Sequence, residues 1–93
     1  MLIGICKLYL YIPKCYSLKN KRSILKGFIY RLRKKYNISI SEIGQKDIWK
    51  NTIIGISYIS EHREIIDKSF ESIIKDIENN PEIELVDYDI STI

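Results

Sequence analysis

The side chains with the clearest chemical potential in this sequence form a run of positive charges near its beginning. Positions 1–41 contain ten Lys or Arg residues and no acidic residue, whereas positions 42–93 contain five basic and twelve acidic residues. Nine of the ten early cations fall between Lys14 and Lys35. A helix face that only needs solvation usually mixes charge signs, because Glu and Lys at helical spacing stabilise a helix whereas like charges repel. The run is therefore a candidate surface for a polyanion.

Part of this run lies where a helix is expected to begin. Ser17 is a suitable N-cap, and the cations that follow it would lie in the first turns, where backbone N–H groups and the helix dipole favour phosphate. The simpler alternative is a solvated helix on a protein rich in Lys and Ile. Binding of the first kind would weaken steeply with salt. The residues predicted to form the surface are Lys14, Lys19, Lys21, Arg22, Lys26, Arg33, Lys34 and Lys35.

Three strand tyrosines are candidates for a different contact. Tyr9, Tyr11 and Tyr58 could stack on bases from an open sheet face, as aromatic residues do in RNA-recognition folds. However, Pro13 ends the first strand early, and the third strand lacks the Gly-aromatic pattern that such folds use. The favoured interpretation is packing or a dimer contact.

Two large apolar residues, Ile48 and Trp49, fall in a predicted loop between strands. Loops normally turn through solvent, so we expect at least one of the two to pack back on the helix or across a dimer. The alternative is an anchor for a partner, because tryptophan is enriched at interface hot spots. Asp47 would shape the turn, and Gly44 would supply a bend or a positive φ angle.

Residue types that support catalysis or metal binding are scarce. The one histidine, His62, is expected on the surface at a helix start. Asp87 and Asp89 lie two apart on one strand face, but a cation site needs a third acid and none is identifiable; charges on an edge strand that discourage aggregation are the better interpretation. Cys6 and Cys15 match no metal or redox spacing and are expected to be reduced and inert. We predict no catalytic residue, metal or cofactor, and identify no small-molecule substrate.

The elements that must position these residues follow from periodicity. One strand covers Leu2 to Ile12 and ends at Pro13, and a helix runs from Ser17 to about Tyr36 with an apolar stripe at helical spacing. The rest is read as strands at 37–43 and 52–59, a helix capped by Ser60 and stopped by Asn79, and a strand at 83–90. The order βαββαβ predicts one ferredoxin-like α+β domain over 1–93, with a four-stranded antiparallel sheet and both helices on one face.

The sheet face without helices should be polar, yet it is not. Ile3, Ile5, Tyr9 and Tyr11 lie opposite the core face of the first strand. We therefore expect a second copy of the chain to cover this face, giving a homodimer through the sheet or its ends.

Membrane insertion and export are not expected. The longest apolar stretch, Leu2 to Ile12, is interrupted by Lys7 and is far shorter than the ~20 residues of a spanning helix. No signal peptide is recognisable, so the sequence predicts a cytoplasmic protein.

Two segments resemble a known family. Residues 16–23 read Y-S-L-K-N-K-R-S and residues 42–49 read E-I-G-Q-K-D-I-W, and Ile12-Pro13 and E-L-V-D at 84–87 add to the match. These resemble the YlxP-like family of small bacterial proteins, long catalogued as a domain of unknown function. The resemblance covers essentially the whole chain, and it departs from the common pattern at Tyr16, where histidine is frequent, and at Asn20, where an acid is frequent.

The resemblance implies the ferredoxin-like fold and a suggested role as a ribosome-binding factor, partly because family genes often lie near those for translation initiation and ribosome maturation. It also makes RNA the expected polyanion. The leading hypothesis is thus a non-catalytic protein that docks on structured RNA through its basic first helix. The competing hypothesis is a dimeric adaptor that binds an acidic protein through this helix and the Trp49 loop. An unrecognised hydrolase using His62 or Asp87 is a third.

Overall fold

The computed structural model describes residues 1–93 as a four-stranded antiparallel sheet and two helices. The sheet order is β2-β3-β1-β4, so each helix connects two parallel strands that have a third strand between them. The predicted ferredoxin-like α+β fold is confirmed. Its elements are β1 Leu2–Tyr11, α1 Leu18–Lys35, β2 Ser39–Gly44, β3 Asn51–Ser60, α2 Arg63–Glu78 and β4 Glu84–Thr92.

The bounds of the strands follow from strand pairing and from the turn after α1 rather than from local pattern. β1 and β3 pair over ten residues in continuous register, which makes β3 one residue longer at each end than its apolar run indicates. β4 reaches Thr92 because Ile3 and Ile93 exchange two backbone hydrogen bonds of 2.9 Å beside it. β2 begins two residues later than predicted, since the chain first turns after α1 with a bond from the Ile38 N–H to the Tyr36 carbonyl.

A single hydrophobic core lies between the sheet and the helices. Cys6, Leu8 and Leu10 on one face of β1 are fully buried, whereas their neighbours on the opposite face are not. Gly4 continues the buried face, and a Cβ atom at this position would overlap Ile66 and Phe70 of α2. Glycine therefore allows α2 to approach the sheet closely.

Tyr58 lies on this buried side and not on the open face. It pairs with Gly4, and cross-strand partners project from the same face of a sheet. Tyr58 is partly buried and packs against the core. The possibility that Tyr58 stacks on a base beside Tyr9 and Tyr11 on the open face is therefore wrong, because the β1–β3 register decides the orientation of both strands. Tyr58 instead packs against the core, in line with the favoured interpretation.

The helix boundaries confirm one predicted cap and correct the other. Ser17 caps α1, and its Oγ accepts the Asn20 N–H at 3.0 Å. His62, not Ser60, is the N-cap residue of α2 and makes no side-chain cap bond. Ser60 is the last residue of β3, and its Oγ instead accepts the His62 N–H at 3.0 Å. Neither helix has a stretch long and apolar enough to cross a membrane.

Candidate nucleic-acid interface

The outer face of α1 carries the predicted basic surface. Leu25, Phe28 and Leu32 bury one side of the helix against the sheet. Residues at spacings of three, four and seven share one side of a helix, so Lys19, Arg22, Lys26 and Arg33 form one exposed stripe along its flank. We call these four residues the α1 stripe.

The α1 stripe forms no ion pair. The four ion pairs of the structure include two residues of α1, Lys21 and Lys35. Lys14 and Lys34 are likewise exposed and unpaired with any acid. The cations of the α1 stripe therefore keep their charge available to an external anion.

The three cations in the last turn of α1 make contacts with other groups of the same chain. Arg33 donates from Nη2 to the Ile40 carbonyl at 3.2 Å, and the Lys34 ammonium lies 5.4 Å from the Tyr30 ring centroid. Lys35 forms a 2.9 Å ion pair with Asp76 of α2. The hydrogen bond from Lys35 to Asp76 raises the pKa of Lys35, an effect that burial partly opposes. The Lys35 charge is thus partly neutralised, and its contribution to the predicted surface is smaller than that of the stripe.

A groove of about 670 Å³ runs between the basic flank of α1 and β2. Because β2 is an edge strand, its outer side has no strand partner. Lys26 and Arg33 contribute cations to the groove, Tyr30 contributes an aromatic ring and Glu42 contributes an acid. Two of the four stripe residues therefore border a concave surface, which can hold an extended charged chain more closely than a flat helix face could.

Lys21 does not belong to this surface. Its side chain is only 1% exposed, and its ammonium donates to the carbonyl oxygens of Gln45 and Ile48, each at 2.6 Å. The same ammonium lies 3.0 Å from Glu42 Oε2. Three acceptors satisfy its three protons, so the prediction that Lys21 contacts RNA is wrong. Its buried hydrogen bonds link α1 to the loop after β2.

Glu42 of β2 connects the Lys21 ammonium to the sheet. It is 19% exposed, and its Oε2 also accepts the Thr52 hydroxyl at 2.6 Å. We call Lys21, Glu42, Thr52 and the two loop carbonyls the Lys21 clamp. The sequence does contain its signal, because Lys21 occupies the apolar stripe of α1, between Leu18 and Leu25, and Glu42 follows Ile40 on the core side of β2. A charge on each of two facing core positions indicates a buried pair.

The Lys21 clamp and a second set of bonds fix the β2–β3 loop, residues 45–50. The Lys50 carbonyl accepts the Ile12 N–H at 2.7 Å, and the Lys50 ammonium donates to the Pro13 carbonyl at 2.7 Å. Gln45, not Gly44, has the positive φ angle, 57°. Gly44 instead permits close packing, since a Cβ atom there would lie 2.9 Å from Ile53 Cδ1. The loop is thereby joined to the segment between β1 and α1.

Both apolar residues of this loop are exposed. Ile48 is 46% and Trp49 51% exposed, so the expectation that one of them packs back on the helix is wrong within the single chain. The Lys21 clamp provides the physical reason, because it holds the loop by its backbone and leaves these two side chains outside. The other predicted locations, a dimer contact or a partner anchor, remain predictions.

The open sheet face carries acids beside its tyrosines. Tyr9 and Tyr11 lie there partly buried, and the Tyr9 hydroxyl donates to Asp89 Oδ2 at 3.3 Å. Desolvation and the Asp89 carboxylate raise the pKa of Tyr9. Asp87 and Asp89 pair with Tyr9 and Lys7 across the strands, so both project from this face. These carboxylates repel phosphate, which makes the open face a poorer site for RNA than α1.

The residue types that could support redox chemistry or metal binding are not clustered. Both cysteines are free and buried, and burial, reinforced by Asp89, raises the pKa of Cys6 to about 11. The Cys15 thiol donates to the Ser17 carbonyl at 3.3 Å. No three His, Cys, Asp or Glu residues lie close enough together to hold a metal ion.

Comparison with known proteins identifies the family. A family model described as a protein of unknown function, DUF503, matches residues 3–90. The chain belongs to the DUF503 family. One DUF503 relative, from Bacillus subtilis strain 168, carries the name "Uncharacterized protein YlxP"; it is 39% identical over 83 residues, which cover 89% of this chain and 90% of the relative. The resemblance found in the sequence is confirmed.

A solved structure has a similar fold. The de novo designed protein Foldit4 superposes with a TM-score of 0.56 at 12% identity, covering all of this chain and 97% of the design. The two segments that resemble the family, residues 16–23 and 42–49, are in contact in the structure, because Lys21 of the first donates to the carbonyls of Gln45 and Ile48 in the second.

Proposed function

We propose that this protein is a non-catalytic cytoplasmic RNA-binding protein that docks through the α1 stripe on the structured RNA of a ribosomal subunit or its precursor. The observation that supports the proposal most strongly is that Lys19, Arg22, Lys26 and Arg33 share one exposed flank without any ion pair. Phosphate groups would supply the missing counter-charge. The choice of RNA among polyanions rests on the family resemblance.

Sedimentation with purified ribosomal subunits tests this proposal. The wild-type protein is expected to co-sediment at low salt and to be released as salt rises, because phosphate contacts are lost as counterions rebind. A Lys19→Glu/Lys26→Glu variant is expected to stay in the supernatant. The matched control is Lys68→Glu/Lys75→Glu, which makes the same change in net charge at exposed positions of α2. Circular dichroism confirms that each variant is folded.

Two results would overturn the proposal. One is co-sedimentation of neither the wild type nor any variant at low salt. The other is equal binding by both double variants, since binding would then respond to net charge and not to the α1 stripe.

A dimeric adaptor for an acidic protein is the second candidate, favoured by the exposure of Trp49 and Ile48 close to the basic helix. Tryptophan is frequent at the energetic centre of protein interfaces. A complex that survives nuclease treatment and is lost in a Trp49→Ala variant would support the adaptor over the RNA-binding function.

We also propose that a second copy of the chain covers the open sheet face. Ile43, Ile59 and Ile93 are exposed there beside partly buried Ile3 and Ile5, and apolar patches of this kind commonly mark interfaces. Sedimentation velocity is expected to give a dimer for the wild type and a monomer for Ile59→Lys. A monomeric wild type at high concentration would overturn this proposal.

A further inference from the structure

The end of the domain where the β1–α1 and β2–β3 loops meet exposes three large side chains. Tyr16 is 72%, Trp49 51% and Ile48 46% exposed. We call these three residues the end platform. It adjoins the N-terminal end of the α1 stripe, which runs along the helix flank. The aromatic rings of Trp49 and Tyr16 are exposed to solvent, at the same end of the domain as the start of α1.

The exposure of the end platform is built into the fold. The Lys21 clamp binds the carbonyls of Gln45 and Ile48, immediately before Trp49. Lys50, immediately after it, is bonded to Ile12 and Pro13 on the other loop. A buried lysine is costly unless fully hydrogen-bonded, and here its bonds hold a loop backbone. The chain therefore presents Trp49 on a fixed loop, which lowers the entropy lost when the ring binds a partner.

Cations flank the residues of the end platform along the chain. Lys14 precedes Tyr16, Lys19 and Arg22 follow it, and all three are exposed without an ion pair. Lys46 and Lys50 are exposed on the other loop. Of the two acids nearby, Glu42 is paired with Lys21 and only Asp47 is exposed and unpaired. Rings and cations thus alternate along two loops that are hydrogen-bonded to each other at this end of the domain.

We propose that the end platform binds unpaired nucleotides, with Trp49 and Tyr16 stacking on bases and the flanking cations contacting the phosphates. This inference rests on the proposed function and specifies which part of an RNA the protein engages. Bases stacked in an A-form duplex do not present their faces to an aromatic side chain, whereas bases in loops and single strands do. Base–aromatic stacking beside a positively charged groove is the usual basis of single-strand binding.

Trp49 is the only tryptophan, so its fluorescence reports on the end platform directly. The full-length protein is titrated at low salt with a single-stranded oligouridylate and, separately, with an RNA duplex of the same length. We expect quenching by the single strand and little change with the duplex. Trp49→Leu and Tyr16→Leu are each expected to weaken single-strand binding about tenfold, measured by anisotropy of labelled RNA, and to leave duplex binding unchanged.

Tyr88→Leu is the matched control, because Tyr88 is an exposed aromatic residue on β4, in the acidic half of the chain. It should bind both RNAs as the wild type does. Circular dichroism and thermal unfolding verify that the platform variants fold, as expected for exposed positions.

The possible outcomes separate this inference from the proposed function. Binding of both RNAs without a fluorescence change, or with unchanged affinity in Trp49→Leu, overturns the stacking role while the α1 stripe keeps its function. Quenching by polyglutamate but by neither RNA overturns it in favour of an acidic protein partner. Binding of no RNA at low salt overturns both proposals together.

Discussion

The two helices pack on the same face of one sheet, yet their charged side chains are arranged differently. In α2, ion pairs form within the helix at the i,i+4 spacing, between Arg63 and Asp67 and between Glu71 and Lys75. In α1 no acid lies on the helix, and its two ion pairs reach other elements, from Lys21 to Glu42 and from Lys35 to Asp76.

This difference separates charged side chains that stabilise the fold through ion pairs from charged side chains that have no ion-pair partner within the chain. Each intrahelical pair of α2 is worth only about 0.3–0.5 kcal/mol, but together they show a surface arranged for solvation and helix stability. The two inter-element pairs of α1 tie the helix to the sheet and to α2. Of the α1 stripe, only Arg33 bonds to the sheet, through the Ile40 carbonyl, and Lys19, Arg22 and Lys26 do neither. The cations of the stripe are therefore better explained by an external anion than by the stability of the domain.

The largest effect is expected from removing the buried cation. Lys21→Met keeps the length of the side chain but leaves Glu42 without its partner and two loop carbonyls without a donor. We expect a loss of about 3 kcal/mol in the free energy of unfolding, measured by urea denaturation. Lys19→Met, two positions away and exposed, should change it by less than about 0.5 kcal/mol. Equal small effects for both would show that the clamp does not stabilise the fold.

The second effect concerns the link between the helices. Asp76 accepts hydrogen bonds from Lys35 at 2.9 and 3.0 Å and from the Tyr36 hydroxyl at 2.7 Å. The Tyr36 hydroxyl also lies 2.6 Å from Ser72 Oγ. Asp76→Asn should lower the free energy of unfolding at neutral pH by about 1 kcal/mol, since the pair is partly exposed to solvent.

The pH dependence of this difference has a definite sign. Partial burial raises the pKa of Asp76, but the bonds from Lys35 and Tyr36 outweigh it and hold the pKa below its usual 3.8. A carboxylate with a lowered folded-state pKa stabilises the protein above its unfolded-state pKa, and this stability is lost as the pH falls through the folded-state pKa. The difference between wild type and Asp76→Asn should therefore shrink below about pH 4. A difference that grows on acidification would contradict this assignment.

A smaller effect follows from making α1 resemble α2. Ser23 is exposed, four residues after Lys19 and three before Lys26. Ser23→Glu introduces an acid between two unpaired cations and should raise the free energy of unfolding by about 0.5 kcal/mol. It should also weaken RNA binding and reduce its salt dependence. Ser23→Gln is the control for size, and stabilisation with unchanged RNA affinity would count against the α1 stripe as the binding surface.

The smallest effect is the converse change in α2. Asp67→Asn removes the exposed pair with Arg63, in which Nε and Oδ2 are 3.8 Å apart. A loss of about 0.3 kcal/mol is expected, as for other exposed helix pairs, together with unchanged RNA affinity. Thermal unfolding and anisotropy measure the two quantities, and a marked change in RNA affinity would show that α2 also contributes to binding.

Much of the architecture could be predicted because it depends on local patterns. Alternation along β1, the apolar stripe of α1 and the Ser17 cap are each set by neighbours within a few residues. The exposed part of the basic surface was predictable for the same reason. The errors, in contrast, concern residues whose environment is made by a distant segment.

Lys21 and Tyr58 illustrate this limit. Lys21 was assigned to the surface because it is a lysine in a basic run, although its helical position lies on the core side. Its two carbonyl acceptors lie 24 and 27 residues further along the chain, and Glu42 lies between them and α1 in the sequence. Tyr58 belongs to a strand that is apolar on both faces, so alternation alone does not select its side. The pairing of Tyr58 with Gly4 of β1 places it on the core face.

The sequence by itself determined the order of the elements, the separation of positive from negative charge and the lack of any acid within α1 to pair with its cations. These properties follow from hydrophobic periodicity and from the absence of acids within one helix. The tertiary structure decided which cation is internal, which face Tyr58 occupies and that Trp49 is exposed on a fixed loop. The physical reason is that burial and hydrogen bonding of a charged side chain depend on acceptors supplied from elsewhere in the chain, and only the folded sheet brings those acceptors to Lys21.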